Sequence, residues 1–273
     1  MNVLKAEIQS CLKRKDIHIT FLLMLIISIS AFVIECLSFY GLDLKFVRSS
    51  AESSLFQGVY AGSVKATLIF ILPLLSSLIY SDSFYTDYHN GVLKTIITKV
   101  NKSKYITYKA ITIFSLTFAV IFISLFINLI LSAITFPSTG FDNVGALPAY
   151  DIGVQNYKNG YFLEILRLES PFLFNVISVF ILSLFGGLFS ILTLGIYFLC
   201  LSKNKIVGLF LSFLFYVCIN LLLAFLGFDK LTLTYQLDTT HIGTISQLLL
   251  WIIFILAISI YLLKKGIDQE LIN

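Results

Sequence analysis

The stretch YSDSFYTDYHNGVLKTIITKVNKSKYITYK, residues 80–109, separates two long apolar runs and decides how the chain is organised. Its second half places apolar residues at helical spacing, and these are Val92, Leu93, Ile96, Ile97 and Val100. The polar face of the same helix would carry Lys94, Thr95, Thr98 and Lys99. Gly91 precedes the pattern and can end whatever helix comes before it. The stretch therefore predicts a short amphipathic helix over 92–100, which lies against lipid headgroups or docks into a groove of another protein.

The composition around this stretch is that of a membrane protein. Apolar residues make up 58% of the chain and charged residues 12%, whereas soluble domains carry about 25% charged residues. Six apolar segments are long enough to cross a hydrocarbon core of about 30 Å. These segments are 17–40, 64–84, 111–136, 171–201, 206–228 and 245–263. The sequence predicts an all-α polytopic membrane protein with six transmembrane helices, and residues 1–273 form a single transmembrane domain.

The segments between and before the spans also carry predictions. Residues 1–16 have the pattern of a basic amphipathic helix, which typically lies at the interface ahead of a span. The first apolar run is longer than a signal-peptide core and lacks a small-residue exit, so we expect a retained span. Residues 41–62 form a polar connection on the outer side. Residues 137–170 form a larger extracytoplasmic segment, in which 161–170 has the apolar edge of a short interfacial helix.

Basic residues are distributed unequally between the two sides of the membrane. Six spans place both termini on one side, together with the lysine-rich loop at 94–109 and the short turn at 202–205. Most of the 19 lysines and arginines lie on that side. Because positive charge is retained in the cytoplasm, the predicted topology is N-in and C-in.

Four positions within the spans are candidate functional residues. Glu35 lies near the outer end of the first span and either reaches water or faces a cavity or a subunit interface. Pro73 removes one helical hydrogen bond and is expected to bend the second span. Gly186 and Gly187 would permit close packing or a bend in the fourth span.

Motifs for catalysis are absent from the sequence. It contains no P-loop, no dinucleotide-binding glycine pattern, no HExxH and no GxSxG. The three histidines are scattered and are expected to be polar surface residues, and the four cysteines have no spacing typical of a metal site. We therefore predict no catalytic, cofactor or metal site on this chain and no nucleic-acid partner. Energy for transport against a gradient would have to come from a separate chain.

This layout resembles the ABC-2-type permease family, the membrane subunits of ATP-binding-cassette exporters. The resemblance rests on an interfacial helix before six spans and on a cytoplasmic loop between spans two and three. Within that loop, Asn90-Gly91, the segment VLKTIITK, the run 102–105 and Lys109 are similar to the family's loop motif. Asp87 is the nearest candidate for the acid that the family usually carries just ahead of the glycine.

The resemblance implies a dimer of permease chains, either identical or siblings, bound to cytosolic ATPase subunits that hold ATP and Mg²⁺. The residues implied in ATPase docking are Gly91, Val92, Leu93, Lys94, Ile96, Ile97, Lys99 and, from the second cytoplasmic turn, Lys203. ATP binding would move the docked helices and tip the spans between inward and outward openings. A hydrophobic or amphipathic substrate is expected, with antimicrobial-peptide export or immunity in a bacterial plasma membrane as the favoured case.

Two other functional classes remain open at this point. A self-contained secondary carrier or channel would need coupling-ion groups within the spans or internal repeats, and the sequence offers neither. A membrane sensor or scaffold that binds a partner without transporting a solute is compatible with the same pattern.

Overall fold

The computed structural model describes residues 3–43, 46–138, 163–199, 205–239 and 244–268. These residues form helices and connecting turns, with no β-strand among them. Six of the helices are long and apolar enough to cross a membrane. The all-α class with six candidate spans is therefore confirmed, whereas the orientation of the chain in the membrane stays a prediction.

The helices agree with the predicted spans in number and differ at their ends. In chain order the helices are α1 (Val3–Leu12), α2 (Lys15–Phe39), α3 (Gly62–Leu78), α4 (Ser83–His89), α5 (Val92–Ile97), α6 (Lys102–Thr135), α7 (Glu164–Glu169), α8 (Pro171–Leu199), α9 (Lys205–Phe225), a 3-10 turn (Asp229–Leu231), α10 (Leu233–Leu237) and α11 (Ile245–Asp268). The start of the third span was predicted at 111, but α6 already begins at Lys102. Lysines on the exposed side of its first turns let the helix continue beyond the apolar run.

Helix α8 is the central element of the bundle. It packs against α3, α6, α9 and α11, and it is the most buried of the six candidate spans. Its two adjacent glycines allow a close approach to α6. A Cβ atom added to Gly186 would lie 2.2 Å from Ile121 Cδ1, and one added to Gly187 would lie 2.7 Å from the Phe114 ring. Of the two roles considered for these glycines, the structure thus displays close helix packing.

The two ends of the bundle differ in chemistry. We call one of them the basic end, because it gathers α1, α4, α5, the start of α6 and the end of α11. Helix α1 packs against α6, and Lys102 of α6 donates a hydrogen bond of 2.6 Å to the Ile267 carbonyl of α11. The opposite end contains the connection between α2 and α3.

Most of that connection is buried, although its composition is polar and mixed. We call residues 46–61 the inserted loop, because most of its length lies inside the bundle. Asn128 of α6 accepts a 2.9 Å hydrogen bond from Leu55 N, and Asn175 of α8 donates a 2.8 Å hydrogen bond to the Ala51 carbonyl. Irregular backbone at membrane depth needs such partners inside the protein, since lipid supplies none.

Candidate functional site

Two residues with positive φ angles divide the chain between α3 and α6. Gly91 (φ 74°) stands between α4 and α5, at the break that the sequence predicted. Tyr80 (φ 57°) stands between α3 and α4, where a bulky side chain rarely adopts this conformation. The Tyr80 hydroxyl donates a 2.9 Å hydrogen bond to Glu7 Oε2 of α1, which helps to hold the residue in place. The chain changes direction at these two residues, and α4 and α5 therefore lie as separate short helices at the basic end.

A charged cluster lies where α1, α4 and α6 meet. It consists of Glu7, Tyr80, Asp87, Tyr105 and Lys109. The Lys109 side chain is fully buried, and its ammonium group contacts the Asp87 carboxylate. Lys109 also donates a 2.5 Å hydrogen bond to the Tyr105 hydroxyl, which in turn donates to Asp87. A buried ammonium group needs such partners, because its desolvation costs several kcal/mol, on the order of the Coulombic gain. The charged cluster therefore joins α1, α4 and α6 at one point.

Burial and charge set the protonation of Glu7. Burial raises the pKa of the Glu7 carboxyl, while Lys109 and the hydrogen bond from Tyr80 lower it in part. The Lys109 ammonium lies 3.8 Å from Glu7 Oε2. It also lies 4.7 Å from the centroid of the Tyr105 ring, at the distance of a cation–π contact. Aromatic faces thus supplement the two carboxylates in stabilising the buried cation.

Arg14 forms a second link at the same end, between the start of α2 and the start of α4. Its guanidinium donates hydrogen bonds of 2.7 Å to Asp82 and 2.5 Å to Asp16. Burial lowers the pKa of Arg14, but the bonds to the two carboxylates outweigh it and raise that pKa, so the guanidinium stays charged. Its partner Asp82 is 68 positions away and follows no local pattern.

Helix α5 does not present its whole apolar stripe to the outside. Leu93 is only 3% exposed and belongs to the hydrophobic core of the basic end, against which Ile96 and Ile97 also pack. Val92 is 45% exposed. The other docking candidates on the exposed side are Gly91, Lys94 and Lys99, while Lys203 lies outside the described residues. Helix α5 ends at Ile97, whereas the predicted helix reached residue 100, so Lys99 lies in the turn that follows it. The accessible surface of α5 and this turn is basic and carries Val92 as its apolar residue.

Glu35 is buried at the opposite end, so the interpretation that it reaches water is wrong. It is 1% exposed, and its Oε1 atom accepts hydrogen bonds from Tyr60 N at 3.0 Å and Ala61 N at 2.8 Å. The inserted loop covers it from the outside. The carboxylate holds the backbone just before α3, and Gly58 leaves the space that it occupies. Pro73, the other candidate in this part of the bundle, is buried within α3.

No family model, curated protein or solved structure matches this chain. The charged cluster must therefore be interpreted from its own chemistry. Within the described ranges no group of three His, Cys, Asp or Glu side chains is placed to hold a metal ion. What the geometry offers is mechanical linkage, since a displacement of α4 and α5 would act on Asp87 and reach α6 and α1 through Lys109.

Proposed function

We propose that the chain is the membrane subunit of an ATP-binding-cassette exporter and that α5 is its contact with a cytosolic ATPase. The observation that carries the proposal is the exposed basic surface at α5, which contacts α4, while α4 is tied to α6 by the ion pair of Asp87 and Lys109. A helix that only rested on lipid would not need a neighbouring helix anchored through a fully buried lysine.

The burial of Leu93 supports a role in transmitting motion. Because Leu93 packs into the core of the basic end, α5 cannot be displaced without moving its neighbours. A push on α5 would be passed through α4 to Asp87, and from there to Lys109 in α6 and Glu7 in α1. For ATP to drive this motion, the ATPase must bind two states of the membrane subunit with different affinity.

The exposed lysines in α5 and just after it suit an acidic groove on the partner. Lys94 and Lys99 are both exposed, and complementary charge across an interface speeds association and selects the partner. The basic end is then the cytoplasmic end, in keeping with the positive-inside rule. The complex would contain two membrane subunits in a bacterial plasma membrane. The apolar spans suit a hydrophobic or amphipathic substrate, and antimicrobial-peptide export or immunity remains the favoured case.

Co-purification tests the proposal directly. The tagged chain is expressed in its native host, solubilised in mild detergent and purified, and co-purifying P-loop ATPases are identified by mass spectrometry. The wild type should retain the ATPase, and the double variant Lys94→Glu/Lys99→Glu should retain at least about tenfold less, since two charge reversals each cost about 1 kcal/mol or more. The control Lys5→Glu/Lys13→Glu makes the same change of charge at exposed positions of the same end and should bind normally.

Three outcomes would refute the proposal. One is that no P-loop ATPase associates with the wild type under conditions that keep it monodisperse. Another is that the α5 variant and its control bind the ATPase equally. The third is that liposomes containing this chain alone move a solute along an ion gradient, which would instead identify a self-contained carrier.

A further inference from the structure

A deep apolar groove opens on the side of the bundle away from the inserted loop. Its walls are α6 and α11, its floor is α8, and its volume is about 630 Å³. Phe114, Leu188 and Leu256 are among the side chains that line its inner part. None of the docking candidates on α5 and none of the charged-cluster residues takes part in it.

The groove is long enough to hold an acyl chain. On α6 its lining runs from Ser103 to Phe114, about 16 Å at about 1.5 Å per residue, and on α11 it runs from Ile252 to Ile267, about 22 Å. Half of a hydrocarbon core measures about 15 Å, so an acyl chain from one leaflet fits within this length. The groove starts at the basic end, where Lys102 of α6 donates a hydrogen bond to the Ile267 carbonyl of α11.

The polar residues of the groove are concentrated at its start. Ser103, Thr107 and Lys264 line the mouth, whereas the deep part is apolar apart from Ser259, whose hydroxyl donates to the helix carbonyl of Ile255. Lys264 is exposed and, within the ranges that the structure describes, has no hydrogen-bond or ion-pair partner. A cation over an apolar slot is complementary to a molecule with an anionic head and an apolar tail.

We propose that the groove binds one anionic phospholipid of the leaflet at the basic end, with an acyl chain along α8 and the headgroup phosphate at Lys264. Basic pockets between transmembrane helices on the cytoplasmic side recognise acidic headgroups in this way. A helix of a second copy, at about 10 Å diameter, is too wide to enter a groove of this volume and could insert only side chains. This proposal does not depend on the transport function.

Lipid retention tests the proposal. The purified chain is placed in nanodiscs of phosphatidylcholine that contain a minor fraction of phosphatidylglycerol, then extracted and analysed by native mass spectrometry. We expect one retained phosphatidylglycerol per chain. Lys264→Gln should reduce its retention about fivefold, which corresponds to the contribution of about 1 kcal/mol from one lysine near a phosphate. Lys265→Gln, at an exposed position that does not line the groove, should leave retention unchanged.

A second pair of variants tests the groove rather than the charge. Thr107→Phe places a ring in the mouth and should exclude the lipid, whereas Ile123→Phe adds the same ring at an exposed position of α6 outside the groove. Equal retention by both variants of either pair would overturn the proposal. So would equal retention of phosphatidylcholine, or competition by soluble glycerol phosphate, which would locate recognition in the headgroup alone. A change of oligomeric state in Thr107→Phe without loss of lipid would identify a contact between copies instead.

Discussion

Lys109 contacts Asp87 across 22 positions of sequence, and this one ion pair fastens the short helix α4 to the long helix α6. Its ammonium group is fully buried, whereas the side chain of Asp87 is partly accessible. The Lys109 ammonium is thus the group whose loss of hydration the contact has to compensate. The consequences for stability and for pH dependence can be measured in detergent or in nanodiscs.

Replacing the buried cation should destabilise the basic end. Lys109→Met leaves Asp87 and Glu7 without their counter-charge, and removing one partner of a buried pair costs about 3 kcal/mol or more. The apparent unfolding temperature should fall clearly. Lys104→Met, on an exposed face of the same helix, should stay within about 0.5 kcal/mol of the wild type. Adding Asp87→Asn to Lys109→Met should recover part of the loss, and strict additivity of the two changes would argue against a coupled pair.

Glu7 should make stability depend on pH in a defined direction. Burial raises its pKa above the usual value for a glutamate, against the opposing effects of Lys109 and Tyr80. Its contribution to stability is therefore fully present below about pH 4.5 and is lost as pH rises through the raised pKa. Glu7→Gln mimics the protonated form and removes this loss. The unfolding temperature of the variant minus that of the wild type should be near zero at low pH and grow as pH rises.

A second variant moves the pH window. Tyr80→Phe removes the hydrogen bond that lowers the pKa of Glu7, so the loss of stability should extend to higher pH than in the wild type. A difference between Glu7→Gln and wild type that shrinks with rising pH would show that the Glu7 pKa is lowered in the folded protein.

Two glycines close together in sequence should respond oppositely to alanine. A Cβ at Gly58 would lie 2.2 Å from Glu35 Oε1 and 2.6 Å from the Ser54 carbonyl, so Gly58→Ala should cost about 1–3 kcal/mol. A Cβ at Gly62, the first residue of α3, meets nothing within 4 Å. Gly62→Ala should be neutral or stabilising by up to about 1 kcal/mol, because alanine favours helix. Equal unfolding temperatures for the two variants would contradict the close contact between Glu35 and Gly58.

The hydrogen bond from the inserted loop to Asn128 should be individually important. Asn128→Leu preserves the approximate volume, but it leaves Leu55 N without its acceptor and removes the hydrogen bond that Asn128 donates to the Ser28 carbonyl, at a cost of about 1–3 kcal/mol. Ile130→Leu, on the exposed side of the same helix, serves as the control and should cost less than about 0.5 kcal/mol. If the two variants unfold at the same temperature, water or another group satisfies Leu55 N.

The sequence was sufficient for features that depend on local pattern. The six spans follow from the length of their apolar runs, and the break before α5 follows from Gly91, which has the left-handed conformation that glycine tolerates. The sequence did not predict the contact between Asp87 and Lys109. Both residues were noted only because they lie in the segment that resembles the loop motif of the permease family.

Features built from distant partners could not be found in this way. The polar composition of the inserted loop did not indicate its burial, because its partners Asn128 and Asn175 are 73 and 124 positions away from the loop residues they bind. Glu7 was only one polar residue on an amphipathic helix until its contact with Tyr80 was known. The spacing of apolar residues correctly placed Leu93 on the apolar side of a helix. Periodicity does not tell which neighbouring element covers that side.

The inserted loop has a practical consequence for engineering this chain. The side chains of Asn128 and Asn175 form hydrogen bonds with backbone atoms of the loop. Because backbone atoms are present whatever the residue, the length of the loop is constrained more strictly than the identity of its residues. Single substitutions at exposed positions of the loop, such as Val59, should be tolerated. An epitope tag inserted next to Ser54 would displace the loop and let water enter between α6 and α8. In topology mapping by tag insertion, loss of such a variant would report a folding defect rather than the side of the membrane on which this stretch lies.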